Sequence, residues 1–354
     1  MSSLGIRPLA LGIVAVVGVF LAVPMVLGFQ KPFIESVQHG PRGVAMGVVY
    51  NDETLVTNAA ANKIPGYLPQ LPPVGPKASA IYKNVQVLGD LSVGQFTRTM
   101  ASITQWVAPT QGCNYCHNPA NMADDGKYTK VVARRMLQMT QNINQNWQPH
   151  VAATGVTCYT CHRGLNIPAN VWVDTSTGPG TDTGMGFAAM TPGKNAPSAA
   201  AGLASLPSDP YTPYLEKAET IRVIGNTALA TDNHASIKQT DWTYALMMHM
   251  SNALGVNCTY CHNTRAMADW SQSPPQRVTA WYGIRMVREM NVGYMDGLAG
   301  VFPEYRKGPL GDVQKVNCTT CHQGVYKPLY GVSMAKDFPE LQKVSSANGG
   351  PRLP

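Results

Sequence analysis

Cys113-Asn-Tyr-Cys116-His117, Cys158-Tyr-Thr-Cys161-His162, Cys258-Thr-Tyr-Cys261-His262 and Cys318-Thr-Thr-Cys321-His322 are the stretches on which the reading of this chain turns. Two thiols three residues apart lie on one face of a helical turn, at the reach of two vinyl groups of a porphyrin. The next residue then places an imidazole under the iron as proximal ligand. Paired cysteines also build zinc ribbons and thioredoxin-like redox sites. Zinc does not require a histidine directly after the second cysteine, and a redox pair does not recur four times. The four motifs therefore predict four covalently attached c-type haems, with Cys113, Cys116, Cys158, Cys161, Cys258, Cys261, Cys318 and Cys321 as thioether positions. His117, His162, His262 and His322 are the proximal ligands. All eight cysteines of the chain are used, so none is left for a structural disulfide or a lipid anchor.

Working outward, the motifs begin at intervals of 45, 100 and 60 residues, which reads as two haem pairs separated by a long insertion. The insertion, about residues 174–213, is rich in Gly, Ala, Pro, Ser and Thr, like a linker. Each motif is preceded by a helical stripe. Val93, Phe96, Met100, Ile103 and Val107 recur at steps of three and four, with Ser92 and Gln95 as a capping box and Pro109 just past the end. Val132, Met136, Met139 and Ile143 form the second stripe. Asp241 can cap a third helix carrying Tyr244, Met247, Ser251 and Leu254. Ser273-Pro-Pro-Gln276 reads as a capping box ahead of Met286 and Met290.

A methionine on each stripe can supply a sixth iron ligand, which raises a haem's potential. It can equally fill gaps in a core, and the chain holds 17 methionines. Four histidines lie outside the motifs: His39, His150, His234 and His249. By count they could make every haem bis-histidine. His150, eight residues before Cys158, is the best placed; His249 points away from the Met247 face. His39 and His234 read as surface or core residues.

Leu9 to Phe29 is an uncharged run long enough to cross a bilayer. It is longer than a secretory signal core and no Ala-x-Ala-like site follows it before Gln30, Lys31 and Pro32, so an uncleaved anchor is expected. Arg7 before the run, and Lys31 and Arg42 after it, give little orientation signal. Haem attachment of this kind is completed on the periplasmic side in bacteria, which puts residues 30–354 there.

Only 13% of the 354 residues are charged, while Gly numbers 33 and Pro 27, a composition suited to long loops wrapped around something apolar. The formal charge of +7 comes without a Lys/Arg run, and haem propionates would add roughly eight negative charges. A nucleic-acid partner is not expected. The expected architecture is mainly α with long loops: a multihaem cytochrome of two pseudo-symmetric haem-pair halves plus an N-terminal transmembrane helix. Residues 1–30 are the anchor, 31–90 an extended segment and 91–173 the first haem pair. Residues 174–213 are the connector, 214–335 the second pair and 336–354 a C-terminal tail.

This layout resembles the tetrahaem cytochrome subunit of purple-bacterial photosynthetic reaction centres over roughly residues 85–335. The resemblance implies three distal methionines, which the offsets place at Met100, Met136 and Met247, and one distal histidine. That is His150, reaching across to the haem of Cys318 and Cys321. It implies that the chain re-reduces the photo-oxidised special pair, with the Cys258/Cys261 haem nearest the pair and the Cys113/Cys116 haem near a soluble donor. That donor would be a small periplasmic cytochrome or a high-potential iron–sulfur protein. The partners implied are the reaction-centre core subunits, the photosynthetic inner membrane through the N-terminal helix, and antenna polypeptides. Such a chain is an electron carrier rather than a stand-alone enzyme. It departs from lipid-anchored members in having no cysteine for acylation near its N-terminus. Arg277 and Arg285 are expected to pair with propionates or raise the potential of the nearest haem, against the bland reading of solvated arginines. The competing readings are a membrane-anchored multihaem cytochrome of a quinol-linked respiratory chain and an open-site multihaem enzyme. The helix methionines and few spare histidines argue against the first, and no acid/base arrangement stands out for the second.

Overall fold

Residues 6–27, 34–39, 46–174, 198–224 and 235–342 are described by a computed structural model of the chain. Lys31, Arg42, His234, the middle of the expected connector (175–197), the last residues of the expected tail (343–354) and the side chain of His39 lie outside the described residues.

The repeated unit is a long helix, a one-turn motif, a second long helix and a helical motif. In the first half these are α4 (Val93–Val107), a 3₁₀ turn at Gly112–Tyr115, α5 (Tyr128–Asn146) and α7 (Cys158–His162). In the second they are α8 (Ile237–Leu254), a 3₁₀ turn at Cys258–Tyr260, α9 (Gln276–Glu289) and α10 (Cys318–His322). Between and before them run α1 (Ile6–Leu27), α2 (Asp52–Ala61), and the short α3 (Ala78–Ile81) and α6 (Gln148–Val151). The described strands are one antiparallel hairpin, β1 (Ile34–His39) with β2 (Met46–Asn51), in register Ile34 to Asn51. The chain is mostly helical with long loops, as the stripes predict.

Local chemistry fixes the helix starts. Ser92 Oγ accepts from Gln95 N at 3.3 Å while Gln95 Oε1 accepts from Ser92 N at 3.3 Å, the expected capping box. Two starts differ from expectation. α8 begins four residues before Asp241, because Ser236 and Gln239 form a reciprocal box of their own (3.2 and 2.7 Å) and leave Asp241 inside the helix. α9 has no side-chain cap: Ser273 Oγ donates to Asp269 O at 2.6 Å and accepts from Arg277 Nη1 at 2.7 Å, so it is taken.

The helical motifs end alike. Arg163 and Gln323 adopt left-handed φ of 51° and 47°, and Gly164 and Gly324 follow. Gly164 N then donates to Trp106 O (2.8 Å) at the end of α4, and Gly324 N to Ala253 O (2.9 Å) at the end of α8. Each helical motif is thereby sewn to the first helix of its own half.

The termini cross over. Asn58 and Asn62 of the α2 region donate to Gly324 O and Gln323 O in the second half, at 3.3 and 3.2 Å. Residues 336–342, expected as part of a tail, return to the first half instead. Phe338 and Leu341 are fully buried in a core with Trp106 and Leu137. Phe338 meets Trp106 edge-on at 4.6 Å and lies under the Arg98 guanidinium at 3.9 Å. Arg98 also pairs with Glu340 at 3.5 Å, both side chains being almost wholly buried. The pattern that defines these as core is a Phe and a Leu three apart, too short a signal to read in isolation.

α1 is 22 residues of helix. Its unbroken stretch of described side chains, 10–24, is exposed throughout. Among the described residues no helix is long and apolar enough to cross a membrane.

The buried pair supplies a test. Arg98→Ala leaves the Glu340 carboxylate in the core without its cation, which costs about 3–5 kcal/mol. The thermal midpoint of the purified holoprotein should drop well below that of wild type, whereas Lys77→Ala, at an exposed pair, should leave it unchanged.

Candidate haem centres

Each motif histidine is held in the same way. His117 Nδ1 lies 3.0 Å from Met122 O, and His262 Nδ1 lies 2.9 Å from Met267 O. His162 Nδ1 is 2.8 Å from Leu165 O, and His322 Nδ1 is 3.0 Å from Val325 O. A carbonyl only accepts, so Nδ1 carries the proton in all four and Nε2 is the nitrogen with a lone pair for a metal. The acceptor is five residues on in the 3₁₀ motifs and three on in the helical motifs. That alternation repeats between the halves.

Burial keeps His162, His262 and His322 neutral. His162 and His262 are pushed down first by desolvation, and His322 is pushed down to about 4 by the same cause, with His150 as a further charge against protonation. Three thiols are held neutral by the same cause: burial drives Cys158 and Cys261 up to about 11 and Cys318 to about 12.

In the first half the predicted residues meet around a cavity of about 800 Å³. Cys113, Cys116 and His117 line it with Cys158, Cys161 and His162, and so do Met100 and Met136 from α4 and α5. Both motifs and both candidate methionines therefore face one apolar space. Met247 packs at the edge of the second core, beside buried Leu246.

His150 leaves its own half. Its Nδ1 lies 2.9 Å from Thr279 O on α9, and its ring stands 6.1 Å from that of His322 at 70°. A metal–imidazole bond of about 2 Å, plus roughly 1 Å from nitrogen to ring centre on each side, gives about 6 Å between rings that share one ion. The pair fits a bis-imidazole iron.

His249 is a core residue. It is buried, with Nδ1 3.3 Å from the Tyr211 hydroxyl and the rings edge-on at 4.8 Å. Desolvation takes it down to about 4.

The expectation that no cysteine remains for a disulfide is corrected. Cys161 and Cys321 are joined, with Cα atoms 4.6 Å apart. They are the same position in the two halves, and the helical motifs carrying them meet along the seam, where Arg163 Nη2 donates to Cys321 O at 2.9 Å. A sulfur in a disulfide cannot also form a thioether, so haem attachment at both of these motifs requires this bond to be absent.

Arg277 lies over Trp270 at 4.1 Å and acts on the Cys261 thiol and the His262 ring through its charge. Arg285 stacks on Trp281 at 4.6 Å. Sequence reasoning missed the four carbonyl acceptors, whose offsets from the histidines are regular but carry no residue type, and Gly283, discussed below. A zinc ribbon would need several donors converging, and among the described residues no group of three or more His, Cys, Asp or Glu does so. Paired thiols, each pair followed by an oriented imidazole, are instead the donor set of covalent haem.

The fold and these sites define a c-type cytochrome. The model of the family described as "Photosynthetic reaction centre cytochrome C subunit" matches residues 30–342, and the chain belongs to that family. It is 51% identical over 327 residues to the photosynthetic reaction center cytochrome c subunit of Rubrivivax gelatinosus, covering 92% of this chain and 88% of the relative. The corresponding subunit of Thermochromatium tepidum is 52% identical (92% and 80% covered), and that of Roseobacter denitrificans 41% (92% and 90%). The chain is an electron-transfer subunit of a photosynthetic reaction centre, and the quinol-linked alternative is not favoured.

His249 generates a pH prediction. Its folded pKa of about 4 lies below the unfolded value of about 6.5, so the unfolded chain takes up the proton first. Stability contributed by the neutral ring is complete above pH ~6.5 and is lost as the pH falls toward 4. His249→Leu should flatten that limb of the thermal midpoint against pH in the holoprotein.

Proposed function

We propose that the chain re-reduces the photo-oxidised special pair through four covalently attached haems, taking its electrons from a soluble periplasmic cytochrome or high-potential iron–sulfur protein. The observation that carries this reading is the common tether of the four motif histidines, each with Nδ1 tied to a carbonyl, which leaves the lone pair on Nε2 for a metal. Each haem, when bound, supplies one reversible one-electron couple. The chain's part is to hold and orient: Cys113/Cys116, Cys158/Cys161, Cys258/Cys261 and Cys318/Cys321 as thioethers, and His117, His162, His262 and His322 as proximal ligands. Met100, Met136 and Met247 are distal ligands to the first three and His150 to the fourth. Two methionines facing the same apolar cavity as two motifs support the first two assignments, and the ring spacing of His150 and His322 supports the last.

The motif at Cys258 is assigned to the end facing the special pair, and the motif at Cys113 to the donor end. Residues Leu9 to Phe29 are assigned as a single membrane span, with the haem-bearing part periplasmic. The uncharged apolar run of the sequence there supports the assignment. The reaction-centre core and antenna polypeptides are its neighbours in the membrane.

Two measurements test the reading. Intact mass of the mature chain should show four haems and no peptide linked through Cys161 and Cys321; a disulfide-bearing mature chain would refute attachment at those motifs. Redox titration of membranes should give four haem components, most at high potential, with bleaching within microseconds of a flash. Four low-potential components without a flash response would sink the donor role.

Arg277 adds a further prediction. Its charge sits beside Cys261 and His262, so Arg277→Gln should lower the midpoint of the haem at that motif and leave the other three in place. Arg285→Gln, at a residue stacked on Trp281, should move the same midpoint less. Four unchanged midpoints in both variants would restore the reading of solvated arginines.

A further inference from the structure

The second long helix of each half occupies the same place before its helical motif, α5 in the first half and α9 in the second. In the first half, α5 carries Met136 as its ninth residue, facing the cavity. The eighth residue of α4 is Met100, facing the same cavity. The eighth residue of α9 is Gly283, which is buried. α9 has no capping or turn role for a glycine there: Gly283 lies in mid-helix, where glycine costs roughly 1 kcal/mol relative to alanine.

The space beside Gly283 is filled by His150. A Cβ built on Gly283 would lie 2.6 Å from His150 Cε1, 2.8 Å from Nδ1 and 3.3 Å from Nε2. The first two are closer than real Cβ contacts, so the ring must shift from this place to admit a side chain. The ring is also fixed from α9 itself. His150 Nδ1–H donates to Thr279 O at 2.9 Å, the carbonyl that the Gly283 N–H addresses in the helix ladder. So placed, the imidazole stands 6.1 Å from the His322 ring.

We infer that Gly283 selects the distal ligand of the fourth haem, its missing side chain admitting the His150 ring against α9. Gly283 is a positioning residue: it touches the ligand, not the iron. The inference rests on the assignment of His150 and His322 to one haem made under the proposed function.

The test uses the full-length holoprotein in membranes, with low-temperature electron paramagnetic resonance of the oxidised haems and a redox titration as readouts. Wild type should show one bis-imidazole haem. In Gly283→Ala that signal should be lost or shifted and one midpoint should move, with the other three haems unchanged. A wild-type spectrum lacking a bis-imidazole haem would overturn the ligand assignment, and the inference with it. A Gly283→Ala chain that keeps the wild-type signal and all four midpoints would overturn the inference while leaving the assignment standing. If Gly283→Ala fails to accumulate, the double variant Gly283→Ala, His150→Ala decides. Recovery of holoprotein shows that the clash was with the ring; continued failure shows that the glycine serves helix packing, which overturns the inference.

Discussion

The hydrogen bond from each motif imidazole to a nearby carbonyl is the contact on which the remaining architecture depends. An imidazole has two nitrogens, and a ligand site needs one of them fixed as a donor so that the other is an acceptor in a known place. The carbonyl must therefore be delivered at a defined offset after the histidine. In the 3₁₀ motifs the chain runs on to Met122 and Met267, stabilised by Asn118 and Asn263 side chains that accept from backbone N–H groups two residues later. In the helical motifs the chain turns back at once through a left-handed residue and a glycine, reaching Leu165 and Val325.

The pairing of the two kinds of motif explains how the halves join. Helical motifs end with a carbonyl-seeking glycine N–H, which ties α7 to α4 and α10 to α8. That leaves the outer faces of α7 and α10 to meet one another, so equivalent positions fall together, as they do across any two-fold-like contact. Cys161 and Cys321 are one such pair. The crossing of His150 to α9, of Asn58 and Asn62 to the turn after α10, and of Phe338 and Leu341 to α4 then fastens each half with pieces of the other. Asn62 is central to this: its amide donates to Gln323 O, and its carbonyl oxygen accepts from Leu329 N at 3.1 Å and Arg163 Nη1 at 3.2 Å. A buried asparagine with all these partners is a specific joint, since an apolar residue there would leave several polar groups unpaired.

What sequence can reveal is set by the range of the interaction. The motif spacing and the Ser92/Gln95 cap are contacts within one turn, and the methionine stripes follow helical period, so all are legible from residue type and offset. Asp241 and Ser273 have the right type for caps, yet Ser236 outcompetes one with a complete box and Arg277 and Asp269 occupy the other. The return of Phe338 to Trp106 depends on where residues more than two hundred positions apart come to lie, which no local pattern encodes.

Gly283 marks the far end of that scale. Its chemistry is the absence of a side chain, and a lone glycine in a helical stripe reads as a weakness in the helix. Only the ring of His150, arriving from a different half of the chain, turns that absence into room for a ligand. On the proposed assignment, distal ligation rests on two residues that sequence shows separately: one that donates and one that steps aside. A methionine stripe identifies a donor that sits on its own helix, whereas a histidine donor from elsewhere requires the helix to be bare at the matching turn. That requirement is a packing rule, and it becomes visible only once both halves are in place.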